Sequence, residues 1–413
     1  MDTHITKNDL DRYLTADRAF LFLVLVGVIQ LSTYVFMALV QPDSFSFGGD
    51  FVAFWSAGRE VLLGNIAELY PSEGLPAAIQ AHQPDAAEET SRLTWQYPPH
   101  STLVFSPVGL FAFIPAYLIW CALGLTAFAA ALKQLDIGNK TLLALLLSPF
   151  VFLALITGQN GLFTAALLIF AVTQIRKHPV LAGLAAAGLT IKPQLGLLLP
   201  IAYLAGRAWL PFITAALASV ALWASSVLLV GKASWFAFFD SILNVGGSIE
   251  SGLMPLFKMV TLFSALRLIG VPNEFAVAAS LALAGLAMCA VGWVWYKTED
   301  KELRLAALSA TALLIAPYGF YYEMTIALPA LFIVARRGYQ SGWLPLEQAL
   351  VAILLLTSLI LPGPEIRHGL SFGFVYMLTI TLLTFRRLAF ELGTEQALHL
   401  PNSALRPPEA GRI

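Results

Sequence analysis

Residues 19–40 read AFLFLVLVGVIQLSTYVFMALV, 22 positions without a charge. As a helix rising 1.5 Å per residue this stretch covers about 33 Å, enough to cross the hydrocarbon layer of a bilayer. A polar segment precedes it and no small-x-small cleavage site follows, so it reads as an uncleaved anchor and not as a signal peptide. Apolar runs then recur near 115–133, 141–157, 160–175, 209–230, 274–296, 303–317, 322–335, 345–362 and 370–385. The 413-residue chain is 58% hydrophobic and 12% charged, about half the charge of a soluble domain. That composition argues against a water-soluble enzyme, a disordered scaffold and a nucleic-acid binder. The net charge of -1 implies no polybasic or polyacidic partner. Cys121 and Cys289 lie inside apolar runs and read as small buried hydrophobes, with neither disulfide nor metal-ligand spacing. The expected fold is an all-α polytopic membrane bundle.

Charge orients the chain. Residues 41–100, the longest polar stretch, hold eight acidic residues against Arg59 and Arg92. Basic clusters fall instead at Lys133/Lys140, Arg176-Lys177, Lys297/Lys301/Arg304, Arg336-Arg337 and Arg386-Arg387. With these and both termini inside, 17 of the 24 Lys and Arg are cytoplasmic, and 41–100 becomes a large first extracytoplasmic loop. Residues 232–272 form a second external region, in which Leu256 to Leu268 reads as an interfacial helix. Residues 401–413 read as a disordered tail behind a single transmembrane domain over 1–400.

Segment 180–206 resists this scheme. Basic residues flank it on what should be one side, its 27 residues are too few for two spans, and Lys192-Pro193 interrupts its middle. A broken hairpin satisfies both constraints, with Lys192 deep in the membrane thickness. Irregular backbone at that depth must be buried in protein or face a polar cavity, and a lysine there is a functional-site candidate unless it snorkels to an interface. As a point charge it suits a phosphate, and backbone N–H groups beside Pro193 would add to the site.

Four further places carry chemistry. Gly48-Gly49-Asp50 precedes FVAFWSAGREVLLG, whose Phe51, Phe54, Trp55, Val61 and Leu62 recur at helical spacing and predict an amphipathic helix at the outer surface. Asp50 occupies its N-cap position and is either a simple cap or a base open to substrate, kept ionised by the helix dipole. Trp95-Gln96-Tyr97-Pro98-Pro99-His100 closes the loop. Interfacial anchoring accounts for it, and His100 is also a substrate-binding candidate. Gly158-Gln159-Asn160-Gly161 is either an ordinary turn or a pair of amides facing the cavity of Asp50. In Ala316-Pro317-Tyr318-Gly319-Phe320-Tyr321-Tyr322-Glu323, Glu323 enters an apolar run and needs a partner or a polar cavity unless it stays at the interface among tyrosines. Arg367 and His368 are placed on the same external side. There is no P-loop, Rossmann fingerprint or metal-ligand cluster.

The blocks GGDFVAFWSAGREVLLGNIAELY, WQYPPHSTLVFSPVGL, ITGQNG, AGLTIKPQLGLLLP and APYGFYYE, in that order, resemble glycosyltransferase family 87, of the GT-C class. The resemblance spans residues 48 to 335 or so. It implies a GT-C-like bundle of about 10–12 transmembrane helices in the cell (inner) membrane, and transfer of a hexose, typically mannose, from a polyprenyl-phosphate donor. The acceptor would be a hydroxyl of a lipid or glycan at the extracytoplasmic face. It implies Asp50 as general base and Lys192 as donor-phosphate ligand. Tyr97, His100, Gln159, Asn160, Gln194, Tyr322 and Glu323 are then the substrate-binding candidates. Where many members carry Tyr-Asp, this chain has Tyr322-Glu323, which moves the carboxylate by one methylene. Attack opposite the phosphate predicts inversion, and the absence of an Asp-x-Asp pair in the first loop predicts no metal; no cofactor is expected. The alternative is a transporter or flippase of lipid-linked saccharides, which would share the broken hairpin, the buried lysine and the cavity.

Overall fold

The computed structural model describes residues 16–40, 48–85, 93–244, 255–357 and 372–398. Among these residues every regular element is helical, apart from an isolated antiparallel bridge between Met259 and Phe320. Among the described residues four helices pass a length and hydropathy test for crossing a bilayer: Phe113–Leu135, Trp209–Val230, Asn273–Lys297 and Phe372–Thr394. Asn139–Leu146 and Pro149–Ile156 make a fifth span if the pair, bent by 51°, is counted as one. The bend falls where Pro149 opens a new helix, since proline has no N–H to continue the old one. The first apolar run is one 25-residue helix, Ala16–Val40, and others form shorter helices, such as Gly161–Thr173 and Glu347–Thr357. Prolines and polar turns bound several of the shorter helices, and the architecture is the all-α membrane bundle that was expected. The chain is a multi-pass membrane protein. Leu217, Val220, Leu228, Leu281 and Leu286 stand exposed on two of the spans, a surface suited to lipid and prone to aggregation in water.

Two cores form. The larger gathers around Gly161–Thr173 and Lys301–Thr311. In the latter every residue from Glu302 to Thr311 is buried, as befits a helix enclosed on all sides. The smaller core is aromatic: Phe54 packs on Trp95, Phe105 and Trp120, Phe51 on Trp120, and Trp55 on Phe113. It corrects one expectation. The helix Phe51–Leu63 forms as its periodicity predicts but does not lie on the outer surface: Phe51 to Gly58 and Glu60 are all buried. Small residues on its otherwise polar side explain this. Gly58 lies against Gly109 so closely that a Cβ on Gly58 would come within 2.5 Å of the Phe105 carbonyl, so the Ser106–Leu110 turn seals that side.

Segment 180–206 is a broken hairpin. Pro179–Gly188 and Leu189–Ile191 run into Lys192, and Pro193–Gly196 and Leu199–Ala205 run back. The return is visible where Tyr203 O–H donates to Ala171 O (2.8 Å) and Ala182 O (3.2 Å). The predicted basic clusters meet at the base of this hairpin. Arg176 pairs with Glu299, Lys301 with Asp136, Arg336 with Glu302, and Arg337 with Asp300 and Glu302. Leu262–Leu268, at seven residues, is too short to span. The expected tail at 401–413, and Arg367 and His368, lie outside the described residues.

Candidate active site

Asp50 is set by the turn that ends in it. The Phe51 N–H bonds both Gly48 O (2.8 Å) and Thr157 O (3.1 Å), which fastens the start of the Phe51–Leu63 helix to the turn after Pro149–Ile156. Asp50 holds the N-cap position, yet its side chain makes no capping hydrogen bond. Its Oδ2 accepts instead from Gln159 Nε2 at 2.7 Å. Of the two readings open in the sequence, simple capping therefore loses its basis. The approach depends on Gly158, whose φ is +61°, and a Cβ there would lie 2.4 Å from Phe51 Cβ. Trp120 Nε1–H fixes the same turn through Gly158 O at 2.9 Å. Gln159 Oε1 and Asn160 Oδ1 are buried without a hydrogen-bond partner among the described residues, so each amide retains accepting capacity.

Tyr97 stands beside this turn. Asn160 Nδ2–H donates to its hydroxyl at 3.3 Å, and Tyr70 O–H donates to its carbonyl at 2.9 Å. Its ring packs on Phe54, Trp95 and Phe105. Burial pushes the Tyr97 phenol up to about 12; the ammonium of Lys192 pulls it down, and Glu323 and Asp50 add to the rise. Burial likewise takes Tyr318 to about 12. Both phenols keep their protons at neutral pH.

Lys192 owes its position to Pro193. A residue before proline is pushed out of the helical region, and Lys192 has φ -131° and ψ 77° between two helical turns. Its side chain turns inward, 6% exposed. There Nζ meets Glu323 Oε1 at 2.5 Å and lies over the rings of Tyr97 (5.3 Å) and Tyr322 (5.7 Å). Glu323 is held in turn by the Phe320 N–H, which donates to Oε2 at 2.9 Å. Tyr322 stacks on Phe320 with ring centroids 5.3 Å apart.

These residues surround one cavity of about 340 Å³. Asp50, Tyr97, Gln159, Lys192, Gln194, Tyr322 and Glu323 all line it, joined by Trp95, Gln96, Tyr318 and Lys258. Asn160 stands one layer back, behind Tyr97. His100 stands apart from this group. It is absent from the lining; Nε2 lies 3.0 Å from Thr190 O and the ring stacks on Trp235 at 5.9 Å. Three residues on from Tyr97, it sits inside the Pro99–Phe105 helix, whose turn carries it away from the cavity. Lys258 was not singled out in the sequence. Its signal was a basic residue on the side that the charge bias leaves poor in them.

Two other cavities lie toward the opposite end. One of about 370 Å³ holds Arg176, Lys301 and Arg337, already paired with carboxylates. The other, about 490 Å³, is mostly apolar. The 490 Å³ cavity also meets Asp136, Lys140, Tyr339 and Gln340, but these are exposed, whereas Gln159, Lys192, Gln194 and Glu323 are buried together around the 340 Å³ cavity. That set suits acid–base chemistry on a polyhydroxylated substrate carrying an anionic group.

The model of glycosyltransferase family 87 matches residues 95–317 of the chain. No curated protein and no solved structure matches it.

Proposed function

Because the chain belongs to glycosyltransferase family 87, we propose that the cavity moves a hexose, mannose in the first instance, from a polyprenyl-phosphate donor to a hydroxyl of a lipid or glycan acceptor. The observation that carries this reading is the Asp50 carboxylate, disengaged from capping and aimed by Gln159 into a cavity that it shares with Lys192. A glycosyltransferase also displaces the carrier alternative, which needs no base.

Asp50 takes the proton of the acceptor hydroxyl, and that oxygen bonds to the anomeric carbon as the carbon–oxygen bond to phosphate breaks. The electron pair leaves with the phosphate. Attack on the face opposite the leaving group inverts the anomeric centre. Lys192 meets the charge that develops on the phosphate, a preorganised interaction inside a partly dry site. Tyr97 and Tyr322, still protonated, and Gln194 offer donors to sugar hydroxyls, while Gln159 Oε1 offers an acceptor. The cavity lies at the end of the molecule away from the basic clusters, which supports an extracytoplasmic active site in the cell membrane.

The test uses purified protein in nanodiscs with radiolabelled polyprenyl-phosphate mannose and a glycolipid extract. Asp50→Asn keeps the shape and the Gln159 contact but removes proton acceptance, and the rate should fall by about 10²–10⁴-fold with the fold intact. Near-normal turnover in that variant would return Asp50 to a structural role. Other polyprenyl-phosphate sugars run in parallel separate the sugar from the reaction class.

A further inference from the structure

The cavity holds two carboxylates and two ammonium groups, but they are not equivalent. Glu323 sits on Lys192 at 2.5 Å and neutralises it. Lys258 lines the same cavity, half-buried, and pairs with no carboxylate among the described residues; its ammonium rests 5.8 Å from the Phe257 ring centroid. Its backbone is fixed. Met259 bridges Phe320, Val260 N–H donates to Gly319 O at 2.8 Å, and Lys258 N–H donates to Pro255 O at 2.9 Å. Lys258 is therefore held beside the 318–323 turn that carries Glu323.

The charge balance of the proposed reaction uses two such cations in sequence. A polyprenyl-phosphate sugar is a phosphodiester with one negative charge. When the anomeric carbon–oxygen bond breaks, the phosphate becomes a monoester carrying close to two, while the acceptor's proton has gone to Asp50. One cation suffices before the reaction, and a second is needed as the bond breaks.

We propose that Lys258 is a second anion-binding residue of this cavity: it holds the lipid phosphodiester before transfer, while Lys192 exchanges Glu323 for the charge that appears on the leaving phosphate. This rests on the lipid-phosphate donor proposed above. The division follows from the pairing, since an ammonium without a carboxylate attracts an incoming anion and a neutralised one does so weakly. Lys192 is released to the phosphate only when the second charge outcompetes a single carboxylate.

The experiment measures binding of undecaprenyl methyl phosphate, a phosphodiester with one charge and no sugar, to full-length protein in nanodiscs by native mass spectrometry. Wild type is compared with Lys258→Gln and with Lys177→Gln, which removes an exposed lysine at the opposite end. Loss of one charge-assisted contact should weaken binding about tenfold in Lys258→Gln and leave Lys177→Gln at the wild-type value. In turnover, Lys258→Gln should raise donor KM by more than it lowers kcat, and Lys192→Met should do the reverse. Wild-type binding with equal affinity in Lys258→Gln overturns the assignment and leaves the donor class standing. A wild type that does not bind the lipid phosphate overturns the donor class, and this assignment with it.

Discussion

Two buried ion pairs stand at opposite ends of the molecule, and they are built differently. Arg387 and Glu347, 1% and 0% exposed, meet through two guanidinium nitrogens, one on each carboxylate oxygen. Arg387 also donates to Gly342 O (2.9 Å) and Ser341 Oγ (3.2 Å), and Glu347 accepts from Leu344 N–H (3.0 Å). Neither residue lines a described cavity. Lys192 and Glu323 meet through one nitrogen and one oxygen, beside a cavity of about 340 Å³. A planar fork that meets both oxygens of its carboxylate is a fixture of the fold, whereas a point charge on one carboxylate oxygen beside a cavity is exchangeable. Burial alone does not separate the two; multiplicity of partners and access to a cavity do.

The largest expected effect probes the fixture. Glu347→Ala leaves Arg387 charged, buried and without its main partner, and should cost about 3–5 kcal/mol, read as a large fall in thermal unfolding temperature in detergent. Replacing both residues by leucine should recover most of that loss, because two apolar side chains leave no charge stranded. Full stability in the single variant would break the comparison.

Next comes the exchangeable pair. Lys192→Met should lower kcat by about 10²–10³-fold, the size of effect seen when one preorganised charge-stabilising group is removed. Its thermal penalty should be smaller than that of Glu347→Ala. Glu323 borders a cavity that water can enter, and it keeps the Phe320 N–H. A thermal loss equal to that of Glu347→Ala, with kcat preserved in the folded fraction, would make both pairs structural.

Much of this difference was legible in the sequence, and the rest was not for definite reasons. Lys192 announced itself because lysine-proline inside an apolar segment breaks the helix and strands a charge, both of which are local facts. Asp50 and Gln159 were legible as separate motifs. Their 2.7 Å contact joins residues 109 apart and depends on the turn at Gly158, so only the fold could pair them. Glu323 was marked as needing a partner, but that partner lies 131 residues away. The Phe51–Leu63 helix was legible as a helix and misplaced, because its polar-looking side is sealed by a glycine contact that periodicity does not register.

The smallest effect belongs to His100, which adjoins the cavity in sequence and turns from it in space. Its replacement by Gln should change kcat/KM by less than about threefold, since changes away from a site are usually small. Its measurable trace is in stability against pH. Burial holds the imidazole below its ordinary 6.5, with the Thr190 carbonyl acting the other way. A depressed value in the folded chain means that the unfolded chain takes up the proton first as pH falls. The contribution of neutral His100 is therefore complete above about 6.5 and is lost as pH drops through the lowered folded value. Between pH 7 and 5 the wild type should lose more thermal stability than His100→Gln, while the two variants keep parallel pH–rate profiles. Profiles that diverge on the acid side would bring His100 back to the reacting groups and erase its distinction from Tyr97.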